Sequence, residues 1–213
     1  MKKPRILLAD DHKIVTEGLR SLLDEEFELV GFAADGRELI AKTQQLSPDV
    51  LIVDISMPLL NGIDAVRTLR EQGSTAKVVF LTMHSDATYL TRALDAGASG
   101  YVLKHAASDE LITAIQHALH GQTFISPQLR TAPVEELLDE TRRRVKPAIE
   151  LTPRQREILQ LLAEGKSAKE IGAILNISPR TVETHKYKMM DDLGLTTSAQ
   201  LVQHAIRHGL VSV

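Results

Sequence analysis

The chain has 213 residues, of which 43% are hydrophobic and 3% aromatic, with 25 Lys and Arg against 28 Asp and Glu and a net charge of −3. That length accommodates two domains with cores of their own, and no stretch approaches the ~18 apolar residues needed to cross a bilayer. There is no cysteine, which excludes disulfides and thiolate metal sites and suits a reducing compartment. The charge is uneven: residues 1–126 hold 12 basic and 17 acidic residues (−5), whereas residues 151–213 hold eight and six (+2). An acidic first half suits cation chemistry, and a mildly basic second half suits a polyanion.

Strand-like and helix-like stretches alternate five times from the N-terminus. The basic Met1-Lys2-Lys3-Pro4-Arg5 leads straight into a strand and an acidic pair, so a secretory signal is not expected and the chain reads as cytoplasmic and soluble, with no membrane partner. Strands are predicted near 5–10, 28–33, 49–54, 77–82 and 100–103, and helices near 13–25, 36–46, 62–72, 86–96 and 107–120. Short Val, Ile and Leu runs read as fully buried parallel strands. Alternating βα units then imply an α/β fold, a five-stranded doubly wound parallel sheet with helices on both faces. Ser47-Pro48-Asp49, Asn61-Gly62 and Gly97-Ala98-Ser99-Gly100 supply the turns between elements.

Four of these strands run into polar residues: Asp10-Asp11, Asp54, Thr82 and Lys104. Residues just past the carboxyl ends of parallel strands line the crevice of an open α/β sheet. Three carboxylates, a hydroxyl and an ammonium therefore converge on one edge, provided that the strand before Asp54 neighbours the first. Hard oxygen donors suit Mg2+ or Mn2+, and a metal-bound carboxylate can act as a nucleophile toward phosphorus.

Asp10-Asp11, Asp54-Ile55-Ser56-Met57-Pro58 with Asn61-Gly62, Thr82, Tyr101 and Lys104 together resemble a two-component receiver domain over roughly residues 4–122. The resemblance implies a flavodoxin-like fold, with Asp54 accepting phosphoryl from a sensor histidine kinase. It also implies Mg2+ held by Asp11, Asp54 and the Ser56 carbonyl, with Asp10 acting largely through water, and Thr82 and Tyr101 as a switch pair beside Lys104. Ser56 and His84 lie two residues beyond Asp54 and Thr82, where side chains can flank a phosphoryl group. His84 reads either as a general base or as an exposed loop histidine.

Residues 123–147 lose the α/β rhythm and read as a polar linker, with a helix as an alternative over 134–144. From Leu151 onward the pattern is helical. Thr152-Pro153-Arg154-Gln155 is a capping box with proline at the first helical position. A short helix at 168–175, the turn Asn176-Ile177-Ser178 and a Ser178-Pro179 start give the spacing of a helix-turn-helix. Ile171, Leu175, Ile177, Val182, Met189 and Leu193 are its expected core. Leu151–Leu159, Glu164-Gly165-Lys166-Ser167, Lys169-Glu170-Ile171 and Ile177-Ser178 with Thr181-Val182-Glu183 and His185 resemble the LuxR-type helix-turn-helix over residues 148–213.

With the receiver, this makes the whole chain similar to a NarL/FixJ-type response regulator: domain 1–122, linker 123–147, DNA-binding domain 148–213. The resemblance implies contacts to double-stranded DNA from Lys169, Thr181, Thr184, His185, Lys186 and Lys188, and a homodimer on activation through residues 197–208. Asp191-Asp192 depart from the basic residues common there, and they favour an alternative in which the protein signals through protein partners. A Mg2+-dependent aspartate phosphatase is a further reading. Ser56 argues against it, because such enzymes place a second carboxylate at that position. The expectation is a regulator and not an enzyme.

Overall fold

The computed structural model describes residues 2–129 and 151–211. They fall into two compact units, one in each stretch. The expected helix at 134–144 and most of the expected linker lie outside the described residues. None of the described helices is long and apolar enough to cross a membrane.

The first unit runs β1 (Arg5–Ala9), α1 (Lys13–Leu23), β2 (Glu28–Ala33), α2 (Gly36–Leu46), β3 (Val50–Val53), α3 (Gly62–Glu71), β4 (Lys77–Thr82), α4 (Ala87–Asp95), β5 (Gly100–Leu103), α5 (Ala107–Leu119) and β6 (Phe124–Ile125). Its strands pair in parallel in the order β2-β1-β3-β4-β5-β6. The sheet thus has six strands where the sequence predicts five. The extra one is two residues long, pairing Gly100 with Phe124 and Tyr101 with Ile125. Two residues are too few to show a period, so β6 is hidden in what reads as linker. The α/β unit accordingly continues past residue 122.

Successive strand residues face opposite sides of the sheet, and the core divides accordingly. Leu7, Leu51, Val53, Phe80, Tyr101 and Leu103 pack in one layer with Leu39, Ile63, Leu69 and Leu90 of α2, α3 and α4. Ile6, Leu8, Val50, Ile52, Val79, Leu81 and Val102 pack in the other with Leu19 and Leu23 of α1 and Leu111 and Ile115 of α5. Burial on both faces explains why these strands read as unbroken apolar runs.

The second unit is helical: α6 (Pro153–Ala163), α7 (Ala168–Leu175), α8 (Pro179–Asp192) and α9 (Ser198–Arg207). The Thr152–Gln155 capping box forms as expected, and Ser167–Glu170 and Thr197–Gln200 make two more. Asn176, in the left-handed conformation at φ 54°, ends α7, and Ser178 caps α8 by accepting from the Thr181 N–H at 3.0 Å. Ile158, Leu159, Leu161, Ile171, Leu175, Val182, Met189, Leu201 and Ala205 are buried. Ile177 and Leu193, expected in this core, are only half-buried.

One close approach bears directly on the sheet's carboxyl edge. The first residue of α3, Gly62, sits so near β3 that a Cβ there would lie 2.1 Å from the Asp54 carbonyl oxygen and 2.7 Å from Val53 Cγ1. Its N–H donates to the Ile55 carbonyl at 2.9 Å. Gly62→Ala should therefore push the residues around Asp54 aside and cost about 1–3 kcal/mol in urea denaturation; an unchanged midpoint would show that the contact is slack.

Candidate functional site

The register of the sheet brings the acidic residues together. β1 and β3 are neighbours with Ala9 opposite Val53, and the Asp54 N–H donates to the Ala9 carbonyl at 2.8 Å. Asp10 and Asp54, each the next residue after its strand, therefore stand side by side, and both are buried, 5% and 4% exposed. Lys104 follows β5 and inserts its ammonium between them: Nζ lies 2.6 Å from Asp10 Oδ2 and 2.8 Å from Asp54 Oδ2. Asp10 Oδ1 accepts from the His12 N–H at 2.8 Å, and Asp54 Oδ1 from the Ser56 N–H at 3.3 Å.

The electrostatics follow from this burial. Desolvation raises the Asp54 carboxyl above its ordinary value near 3.8, with the Lys104 hydrogen bond and charge pulling the other way and the Asp10 charge adding to the rise. Burial also works against the Lys104 ammonium, but hydrogen bonds and charge from Asp10 and Asp54 outweigh it and raise its pKa.

Asp11 is more open and meets the His12 imidazole at 2.8 Å. One donor atom from each of Asp10, Asp11, His12 and Asp54 lies within 4.8 Å of all the others. Three carboxylates against one ammonium leave an excess of negative charge around clustered oxygen donors. That donor set fits a hard divalent cation such as Mg2+. Asp10, Asp11 and Asp54 supply its carboxylate oxygens.

Thr82 and Tyr101 join this group through His84. Thr82 ends β4 fully buried, and its Oγ1 accepts from the His84 N–H at 3.1 Å. The equally buried Tyr101 donates its hydroxyl to the His84 carbonyl at 2.9 Å, and burial pushes its phenol well above the usual value. The His84 ring hydrogen-bonds through Nε2 to Ser56 Oγ at 2.6 Å and stacks on Tyr89 with centroids 3.9 Å apart. His84 is thus a half-buried hub and not an exposed loop histidine, and burial lowers its pKa so that it is neutral at pH 7. The sequence reading misses His12, although it directly follows the strand-end pair Asp10-Asp11, and leaves His84 between two roles.

In the helical unit, Lys169, Thr184 and Lys188 are exposed, while Thr181, His185 and Lys186 are half-buried. Thr184 donates to the Arg180 carbonyl, and Thr181 shares a 2.8 Å hydrogen bond with Ser178. Lys186 is ion-paired with Glu183 at 2.7 Å, which neutralises one of the expected contacts. Asp191 and Asp192 at the end of α8 are exposed.

A carboxyl whose folded pKa is raised disfavours the native state once ionised. The cost is absent below its ordinary value near 3.8, grows as pH rises through the folded value, and is constant above it. Asp54→Asn should therefore be more stable than the wild type at pH 7 in the presence of a chelator, with the gain disappearing as pH falls toward 3.8. Urea titrations at several pH values measure this, and a wild type more stable at pH 7 would refute the strained carboxylate.

Residues 6–116 match the response regulator receiver domain and residues 150–205 the luxR family of bacterial regulatory proteins. The transcriptional regulatory protein MctR of Rhizobium johnstonii is 37% identical over 212 residues, covering 99% of this chain and 96% of its own length. The oxygen regulatory protein NreC of Staphylococcus carnosus is 38% identical over 214 residues, covering 97% and 99%. Among solved structures, RcsB of Salmonella enterica serovar Typhimurium, bound to the promoter P1flhDC in the presence of the phosphomimetic BeF3−, aligns over the full length of both chains with a TM-score of 0.61 and 29% identity. A carboxylate cluster at a parallel-sheet edge and a capped helix-turn-helix occur here in one chain, and the matches cover both: the chain belongs to the two-component response regulators that join a receiver domain to a LuxR-type DNA-binding domain.

Proposed function

We propose that this chain is a cytoplasmic transcription regulator controlled by phosphorylation of Asp54. The observation that carries the reading is the Lys104 ammonium seated 2.8 Å from Asp54 Oδ2 and 2.6 Å from Asp10 Oδ2 in a buried acidic cluster. A sensor histidine kinase supplies the phosphoryl group. An Asp54 oxygen attacks phosphorus, the P–N bond to the kinase imidazole breaks, the leaving ring keeps the electron pair, and an acyl phosphate forms. Lys104 pairs with one phosphoryl oxygen and the Thr82 hydroxyl donates to another. Asp10, Asp11 and Asp54 would hold Mg2+, which would supply positive charge to offset that on the phosphoryl oxygens.

The consequence is carried by Thr82 and Tyr101. Drawing Thr82 toward the phosphoryl group favours the inward Tyr101 ring, and the repacked surface favours a homodimer that binds paired half-sites of double-stranded DNA. Lys169, Thr181, Thr184, His185 and Lys188 supply phosphate and base contacts from the helix-turn-helix, while Lys186 must first leave Glu183. RcsB, as a relative bound to a promoter, supports this reading. Ser56 offers no second carboxylate for turnover on outside substrates, which supports a regulator over a phosphatase.

Incubation with a small phosphoryl donor and Mg2+ should add one phosphoryl mass to the wild type and none to Asp54→Asn; an adduct on that variant would displace the acceptor to another residue.

A second reading, output through protein partners, is favoured by the exposed Asp191 and Asp192. Carboxylates near DNA phosphates repel them and reduce counterion release. Titration of a promoter-length duplex over a salt series separates the two readings. The double substitution of Asp191 and Asp192 by lysine should tighten binding and steepen the salt slope by up to about 2. Equal affinity in both proteins would place these aspartates away from DNA, and no measurable binding by either would favour the protein-partner reading.

A further inference from the structure

The hydrogen bond between Ser56 Oγ and His84 Nε2, at 2.6 Å, joins the loop after the acceptor to the loop after β4. His84 is held at four points: by this bond, by its N–H on Thr82 Oγ1 at 3.1 Å, by its ring stacked on Tyr89 of α4, and by its carbonyl, which accepts the Tyr101 hydroxyl at 2.9 Å. At the other end, Ser56 donates its own N–H to Asp54 Oδ1 at 3.3 Å. An unbroken chain of contacts thus runs from the Asp54 carboxylate through Ser56 and His84 to the Tyr101 hydroxyl, beside the route that passes through Thr82.

The two routes are not equivalent. Thr82 is the group drawn toward a phosphoryl oxygen, and as its oxygen moves the His84 N–H loses an acceptor. The Ser56 bond grips the His84 ring rather than its backbone and does not involve Thr82. His84 keeps its position, and its carbonyl remains where the Tyr101 hydroxyl reaches it. Without that second grip the His84 ring is held by stacking on Tyr89 alone, so its carbonyl is less firmly placed even before Thr82 moves, and the displacement of Thr82 loosens it further. A buried phenol left without an acceptor is destabilised, which favours the ring turning outward to water.

We propose that Ser56 is a positioning residue for the Tyr101 switch, acting through His84: its hydroxyl sets how much of the population holds Tyr101 inward. The inference deepens the proposed regulation at Asp54 and rests on that reading for its consequence, but its test does not require phosphorylation.

The experiment is NMR of the full chain with ring-labelled 13C tyrosine, recorded without any phosphoryl donor. The chain has three tyrosines, and Tyr101→Phe assigns the resonance. Ser56→Ala should move the Tyr101 signal toward the frequency of the exposed Tyr187, Ser56→Thr should leave it near the wild-type position because it retains a hydroxyl, and His84→Ala should move it as Ser56→Ala does. The His84 substitution also serves if Ser56→Ala is poorly folded. A Tyr101 signal unmoved in both alanine variants, with wild-type thermal melting, would overturn the proposal. The phosphoryl adduct on Asp54 is read separately by mass. Its absence would end the acceptor reading without altering the tyrosine result, and a moved tyrosine with a normal adduct would support both.

Discussion

The ammonium of Lys104 between two buried carboxylates is the interaction around which the first unit is arranged. Asp10 and Asp54 repel each other and both have lost water, so neither is tolerable there alone. One cation close to both offsets part of that cost, and removing the lysine would leave two buried carboxylates uncompensated, a loss of about 3–5 kcal/mol. Every larger feature serves this placement. β1 and β3 pair in register so that the two aspartates follow adjacent strand ends, and β5 delivers Lys104 to the same edge. Gly62 lets α3 begin hard against the Asp54 carbonyl. Helices on both faces keep water from the strands that hold the edge in place.

The charge left over gives the site its chemistry. Lys104 cannot neutralise three carboxylates, and the remainder is concentrated on oxygen donors close enough to share one ion. The Asp54 carboxyl is held above its ordinary value despite its lysine because desolvation is the larger influence, with the Asp10 charge adding to it. A carboxylate that is costly to keep ionised gains from any nearby cation. Any cation bound there would therefore be coupled to Asp54 ionisation through the same atoms.

Much of this was legible in the sequence because it rests on strong local patterns. Apolar runs of four to six residues mark strands buried on both faces, and Asp10-Asp11, Asp54, Thr82 and Lys104 are visible as the polar residues that end them. Asn61 also reads correctly as a helix start: its Oδ1 accepts from the Asp64 N–H while its amide donates to Asp64 Oδ2, each at 2.9 Å. What the sequence hid depends on contacts between segments distant along the chain. β6 is defined only by pairing with β5. His84 looks like a loop residue until Ser56, 28 positions away, and Tyr101, 17 positions away, are seen against it. The ion pair that occupies Lys186 is local, but the composition of α8 alone does not say whether Glu183 turns toward it or toward solvent.

The arrangement around His84 also bears on how large a signal the switch needs. Moving a two-state equilibrium from 1:99 to 99:1 takes about 5.5 kcal/mol of differential interaction. Net hydrogen bonds to charged groups contribute about 1.5–3 kcal/mol each, so bonds from Lys104 and Thr82 to a phosphoryl group reach that figure only at the upper end. Lys104 must also give up part of its existing pairing to make them. The inward Tyr101, however, is stabilised by burial and by the His84 carbonyl, neither of which draws on phosphoryl contacts. On the proposed reading, the resting equilibrium is then less one-sided than 1:99 and a smaller differential suffices to tip it. A receiver built this way would trade a tight off state for sensitivity, with the strength of the proposed Ser56–His84 tether setting that balance.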